Sequence, residues 1–211
     1  SEDIKYYTFN DVINTALQKP GSNANKKDSL GDAEFSLNVI SDLTYSNIWN
    51  SFIKWCTDQT ELGYLVNIYS FGNMFYVPEK HKKQNEGISV KLTDFFLREH
   101  NLKWNEAKST YESLYSAKYE NTQPQTEKLN YIIISTELNT KKILIQNGLN
   151  NLFNAIGYLL ESTPNCLIDL GILGQFISTN KVVHQIPSKL KSDSVSNKKT
   201  TIKSLIDRAP K

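Results

Sequence analysis

YLVNIYSFGNMFY at residues 64–76 and CLIDLGILGQFIS at residues 166–178 superimpose without a gap. Leu65 falls on Leu167, Val66 on Ile168, Asn67 on Asp169, Ile68 on Leu170 and Gly72 on Gly174, so hydrophobicity, the polar break and the glycine are all shared. The match continues upstream, where Ile48, Trp49, Phe52, Trp55 and Cys56 face Leu152, Phe153, Ile156, Leu159 and Leu160, the joining loop being shorter in the second copy. Such self-similarity is the mark of a repeated structural unit and predicts two copies of one fold in tandem. In each copy apolar residues alternate as in a half-buried strand and then meet glycine, which tolerates a positive φ or a close backbone approach. Gly72 and Gly174 are therefore the expected structural turns.

Outward from this repeat, Ile48, Trp49, Phe52, Ile53 and Cys56 form a helical stripe that begins after Ser41 and is buried on one side. The strand-forming run around Gly72 leads to the charged PEKHKKQNEG at 78–87 and a third strand, ISVKL, at 88–92. Residues 95–119 return to helical spacing through Phe96, Leu97, Leu102, Trp104, Tyr111, Leu114, Tyr115 and Tyr119, and Gln123-Pro124-Gln125 then punctuates the chain. Near the N-terminus Phe9, Val12, Ile13, Ala16 and Leu17 predict a short helix ended by Pro20-Gly21, and residues 20–36 are polar and aperiodic. The expected organisation is a helix and linker over 1–36, a first unit over 37–120, a linker over 121–128, a second unit over 129–190 and a basic extended tail over 191–211. The expected fold class is α+β: each unit packs helices on a small three-stranded antiparallel sheet, between extended N- and C-terminal segments.

Composition narrows the function classes. With 211 residues, 39% of them hydrophobic and 22% charged, the chain suits a folded globular protein rather than a fibrous or disordered one. No run approaches the roughly 20 apolar residues of a membrane span, and the opening SEDIKYY lacks a leader's basic and apolar regions, so no membrane partner is expected. Cys56 and Cys166 lie in apolar runs and read as buried core thiols, and the absence of any Asn-x-Ser/Thr acceptor agrees with a cytosolic or nuclear setting. His81, His100 and His184 are isolated from one another and from cysteine, so neither metal nor cofactor is expected. Gly171-Ile172-Leu173-Gly174 lies between strands rather than before a helix, which argues against a phosphate cradle. The acids Asp94, Glu99, Glu106 and Glu112 read as solvated charge on helical faces, leaving no small-molecule substrate or enzyme chemistry to expect. A net charge of +2 with only two arginines, Arg98 and Arg208, is modest for a duplex-binding protein.

An amphipathic helix, a short loop, an apolar strand ending at a Gly-centred turn and a second strand resemble the bacterial HU/IHF fold, here through Val66-Asn67-Ile68-Tyr69-Ser70-Phe71-Gly72-Asn73-Met74-Phe75. The tandem arrangement is similar to the paired HU-like domains of the coiled-coil domain-containing protein 81 family. The likeness is carried by Ile48-Trp49, by Phe95-Phe96-Leu97 with His100-Asn101-Leu102, by Leu129-Asn130-Tyr131, and by Gly174-Gln175-Phe176-Ile177 followed by Asn180-Lys181-Val182-Val183. It covers about residues 37–190. The resemblance implies a non-enzymatic structural protein of the cilium, axoneme or basal body, in the cytoplasm and cytoskeleton, with tubulin and other microtubule-associated proteins as partners. The alternative it carries is an HU-like architectural protein that binds nucleic acid. Bacterial relatives grip DNA with a long Arg-rich arm bearing a Pro wedge. The matching stretch 78–86 has Pro78 but no Arg, and its counterpart 178–181 is too short for an arm, so nucleic acid is not the expected partner.

Two further features are candidate partner-binding sites. Residues 188–211 hold seven basic side chains, Lys189, Lys191, Lys198, Lys199, Lys203, Arg208 and Lys211, against Asp193 and Asp207. They read either as plain solvated chain or as a strap for an acidic surface such as tubulin, with Thr200, Ile202, Leu205 and Ile206 as apolar anchors. Tyr111, Tyr115 and Tyr119 form a helical stripe that either packs between the two units or meets a partner.

Overall fold

The computed structural model describes residues 3–18, 42–77 and 87–188, which form six α-helices and two mixed sheets, an α+β architecture. The first half opens with β1 (Lys5–Tyr7) and α1 (Phe9–Gln18), whose start is fixed by Asp11 accepting from the Thr8 amide at 2.7 Å and the Thr8 hydroxyl at 2.9 Å. The long α2 (Asp42–Glu61) follows, then β2 (Leu65–Ile68), β3 (Gly72–Tyr76), β4 (Ile88–Leu92), α3 (Asp94–Glu99), β5 (Lys103–Trp104) and α4 (Tyr111–Tyr119). The second half runs through β6 (Thr126–Lys128), α5 (Tyr131–Glu137), α6 (Lys142–Ser162), β7 (Asn165–Asp169), a 3-10 turn (Gly171–Leu173), β8 (Gln175–Thr179) and β9 (Val182–Ile186).

The two hairpins share one register. Val66 pairs with Met74 and Asn67 with Asn73, while Ile168 pairs with Phe176 and Asp169 with Gln175. The gapless sequence match places these same residues on one another. Inner positions are apolar in both copies because they face the long helix of their own half.

The expected three-stranded antiparallel sheets are parts of larger, mixed ones. One sheet has the order β1-β7-β8-β9-β5 and the other β4-β3-β2-β6. The added strands cross between halves: β1 runs parallel to β7 with Tyr6 opposite Leu167, and β6 runs parallel to β2 with Thr126 opposite Leu65. Since Leu65 and Leu167 are equivalent, each half lends a strand to the matching edge of the other. β6 falls inside the stretch read as a linker. A second difference concerns Trp104, expected at helical spacing. It lies on β5, parallel to β9 and opposite Val183, because the helix of Phe96 and Leu97 ends at His100 and Asn101 takes φ 51°.

One core serves both halves. Phe71 stacks on Phe153 at 4.6 Å, Phe52 meets Phe153 edge-on at 5.6 Å, and Phe71 reaches Phe176 at 6.1 Å. Every helix residue in the sequence match, from Ile48 to Cys56 and from Leu152 to Leu160, is buried in this cluster. Gln185 supplies a polar join. Its amide accepts from the Val90 N–H at 3.2 Å and donates to Ile88 O at 2.9 Å and Leu173 O at 2.8 Å, closing the edge of β4.

The paired glycines serve the turn differently. Gly174 has φ 78°, and a Cβ there would strike the Ile186 carbonyl. Gly72 has no positive φ, but a Cβ would come within 3.0 Å of Val90 Cγ1 and 3.1 Å of Lys91 O. A glycine match therefore reports a close approach in one copy and a left-handed residue in the other.

Candidate partner-binding surface

The tyrosine stripe sits on the outer face of the four-stranded sheet. Alternation along β3 turns Met74 inward and Phe75 outward, and α4 lies across that outer face. Phe75 is fully buried beneath Tyr111, Tyr115 and Tyr119, with centroids at 5.1, 5.9 and 5.9 Å, all edge-on. Tyr111 and Leu114 are buried, whereas Tyr115 keeps one side exposed. The stripe thus packs within the first half, rather than between the halves or wholly on a partner.

Charge frames this layer. Lys118 donates to Tyr76 O at 2.7 Å and lies over Phe75 at 5.7 Å, and burial lowers its pKa. Burial pushes the Tyr111 hydroxyl far up, with Glu112, Tyr115 and Tyr119 adding to the rise, and the Tyr119 hydroxyl up to about 12, with Tyr115 adding. On β4, Lys91 bonds Glu106 at 3.1 Å and Glu112 at 2.5 Å. Partial burial works against its charge, but the two carboxylates prevail and its pKa is raised.

Beside α4 opens a cleft of about 570 Å³, lined by Tyr69, Asn73, Lys91, Phe95, Arg98 and Tyr115 among others. Tyr69 is 68% exposed and leans on Phe95 at 4.7 Å, a pair held in place by Thr93, whose hydroxyl donates to Tyr69 O at 2.8 Å. The exposed Tyr69 beside half-buried Phe95 and Tyr115, with Arg98, makes an open surface with the aromatic and arginine content that interfaces favour, unlike a closed substrate pocket. Of the expected site residues that fall among the described ones, Tyr111 and Tyr115 reach this region. Lys189, Lys191, Lys198, Lys199, Lys203 and Arg208 lie outside the described residues, as do Lys80, His81, Lys82 and Lys83.

Tyr69, Phe95 and Arg98 were not legible as a group, because they come from a turn and a helix brought together by the fold. Cys56 and Cys166 are both buried free thiols; burial raises the pKa of each, that of Cys166 to about 11 with Ser178 opposing. His100 leans on Phe96 with ring centroids 4.6 Å apart and tilted by 51°, and burial lowers its pKa against the pull of Glu161 and Glu99. Among the described residues, no three His, Cys, Asp or Glu side chains converge as a metal site would need, and no helix is long and apolar enough to cross a membrane. No protein-family model and no curated protein matches the chain.

Proposed function

We propose that the chain is a tandem pair of HU/IHF-like units acting as a non-enzymatic structural protein of the cilium, axoneme or basal body. In this reading it binds the tubulin lattice or neighbouring microtubule-associated proteins through its folded body and its N- and C-terminal segments. One observation favours a scaffold over a DNA-gripping role: β8 and β9 are joined by Asn180 and Lys181 alone, at φ 48° and 67°. A two-residue turn leaves no room for an arm in the second copy. The cleft beside α4 supplies a protein-facing surface, and Lys189, Lys191 and Lys198 supply positive charge for an acidic partner.

Nucleic acid remains the second reading on one specific feature. β3 and β4 form a hairpin closed by Val77 N–H to Gly87 O at 2.8 Å, and the sequence that joins them, outside the described residues, includes Lys80, Lys82 and Lys83. Microtubule pelleting of the full chain, with duplex DNA as competitor, separates the two. The scaffold reading expects pelleting that persists with DNA present and weakens in Lys189→Glu/Lys191→Glu/Lys198→Glu, together with a tagged copy concentrated at cilia or basal bodies. Duplex retention at about 150 mM salt without pelleting would overturn it.

A further inference from the structure

On the outer face of the four-stranded sheet, Leu65 and Phe75 pack with the tyrosines of α4, but the next row along the strands is polar. Register sets that row. Lys128 of β6 stands opposite Asn67 of β2, Asn67 opposite Asn73 of β3, and Asn73 opposite Lys91 of β4. All four share the face of Phe75, because residues paired across strands point the same way and Asn73 is two positions from Phe75. Lys128 is exposed, and the other three are half-buried.

Two clefts meet on this row. The cleft beside α4 takes in Asn73 and Lys91, and a second, of about 500 Å³, takes in Asn67, Lys128 and Tyr131; Tyr69 lines both. The polar groups are unevenly committed. Lys91 is held by Glu106 and Glu112, whereas Lys128 and Arg98 have no ion-pair partner among the described residues. Lys128 is also the one charged side chain of those lining the second cleft. Asn67 bonds Asn73 amide to amide at 2.5 Å, which leaves the pair one donor group and one acceptor without a partner among the described residues. The matching row of the other sheet is Asp169, Gln175 and Ile186. There the Tyr6 hydroxyl and the Gly171 N–H already occupy Asp169, at 3.0 and 2.9 Å, and Gly171 stands where the first copy has Tyr69.

We infer that this row binds an extended acidic peptide segment of a partner protein, laid across the four strands. Three strand spacings, about 14 Å, separate Lys128 from Lys91, whose cleft also holds Arg98. In an extended peptide, side chains i, i+2 and i+4 share one side, and i to i+4 covers about 13 Å. Carboxylates at i and i+4 meet Lys128 and Arg98, an apolar residue at i+2 meets the Tyr69 ring, and the peptide backbone bonds the asparagine pair. A nucleic-acid strand is the poorer fit. Its evenly spaced phosphates would face Asp94 and Glu112, which line the cleft of Arg98, with two uncommitted cations to hold them. The inference rests on the reading of the α4 cleft as a protein-facing surface, and not on tubulin as the partner.

Fluorescence polarisation on the full chain tests it, with rhodamine-labelled Glu-Ser-Leu-Ser-Glu amide as the probe and Lys-Ser-Leu-Ser-Lys amide as its control. The acidic peptide should bind saturably, and about tenfold or more weakly to Lys128→Glu and to Arg98→Glu. Both side chains are exposed, so the circular dichroism spectrum should stay unchanged. The double variant Lys128→Glu/Arg98→Glu should prefer the lysine peptide. No saturable binding below about 1 mM, equal binding of the two peptides, or unchanged affinity in both single variants overturns the inference. So does an oligothymidylate that binds more tightly than the acidic peptide and is lost in the same variants, which would make the row a nucleic-acid site. Microtubule pelleting of the same proteins separates this inference from the scaffold reading. Pelleting without peptide binding sinks the peptide row alone, and peptide binding without pelleting supports the row while counting against tubulin.

Discussion

Replacing Gln185 should loosen the join between the two sheets more than any other single polar change. Its side chain is 3% exposed and holds three backbone groups, the Val90 N–H and the Ile88 and Leu173 carbonyls. Val90 and Ile88 turn these groups away from β3, so the amide stands in for a neighbouring strand along the edge of β4. Gln185→Ala removes three bonds worth about 1 kcal/mol each and leaves buried groups whose desolvation adds to the loss, giving an expected cost of about 3–4 kcal/mol. Gln185→Glu keeps the shape and the acceptor for Val90 but aims a carboxylate at two carbonyls, which should raise its pKa above the unfolded value. That carboxylate's penalty is fully present above the folded pKa and shrinks as pH falls towards the unfolded pKa, so the gap to the unaltered protein narrows on acidification. Urea unfolding followed by far-ultraviolet circular dichroism measures both, with one transition expected because the core is shared. A loss under about 0.5 kcal/mol for Gln185→Ala, on a scale where surface changes already give that much, would refute the join.

Gly157 lies under the His100 ring, which a Cβ would strike; Gly157→Ala should cost about 1–3 kcal/mol by overpacking, yet stabilise by up to about 1 kcal/mol once His100→Ala clears the space, a sign reversal read by a double-mutant cycle. Burial lowers the pKa of His100 and of His184, the latter with help from Lys108. The unfolded chain therefore takes up protons first, and stability should fall as pH drops below about 6.5, with His100→Gln blunting the loss in urea titrations at pH 7.5 and 5.5. Gly174→Ala, at φ 78° and against the Ile186 carbonyl, should lower the urea midpoint more than Gly72→Ala, which meets Val90 Cγ1 and Lys91 O at 3.0 and 3.1 Å but without a positive φ.

What the sequence disclosed followed from length and period. The hairpins and long helices repeat over enough residues for alternation and helical spacing to register, so their residue-by-residue match survives in the strand pairing. β1, β5 and β6 are two or three residues each, KYY, KW and TEK, too short to show a period, and they are strands only because a hairpin edge offers them partners. The tyrosine spacing correctly placed three rings on one helix face, but spacing alone does not say what that face meets. Gln185 was hidden for a different reason: alternation puts it on the inner face with Val183 and opposite Phe176, where an apolar residue is the ordinary occupant, and only the nearness of β4 gives its amide partners.

The exchange of β1 and β6 bears on how such a chain can work. Parallel partners cannot be supplied by a tight turn, so each hairpin's free edge must be filled by a strand arriving from a distance. Here the strand comes from the other half, and the aromatic centre draws Phe52 and Phe71 from one half and Phe153 and Phe176 from the other. Neither half keeps a complete sheet or core when the two part, so movement of one against the other would cost sheet pairing as well as buried area. The inner positions are apolar in both copies, Val66 with Ile168 and Met74 with Phe176, while the outer ones differ: Phe75 is sealed by tyrosines where Ile177 stands half-open. The result is one body with two unlike outer faces, in which the differences between the halves are confined to the surface while their likeness is kept inside.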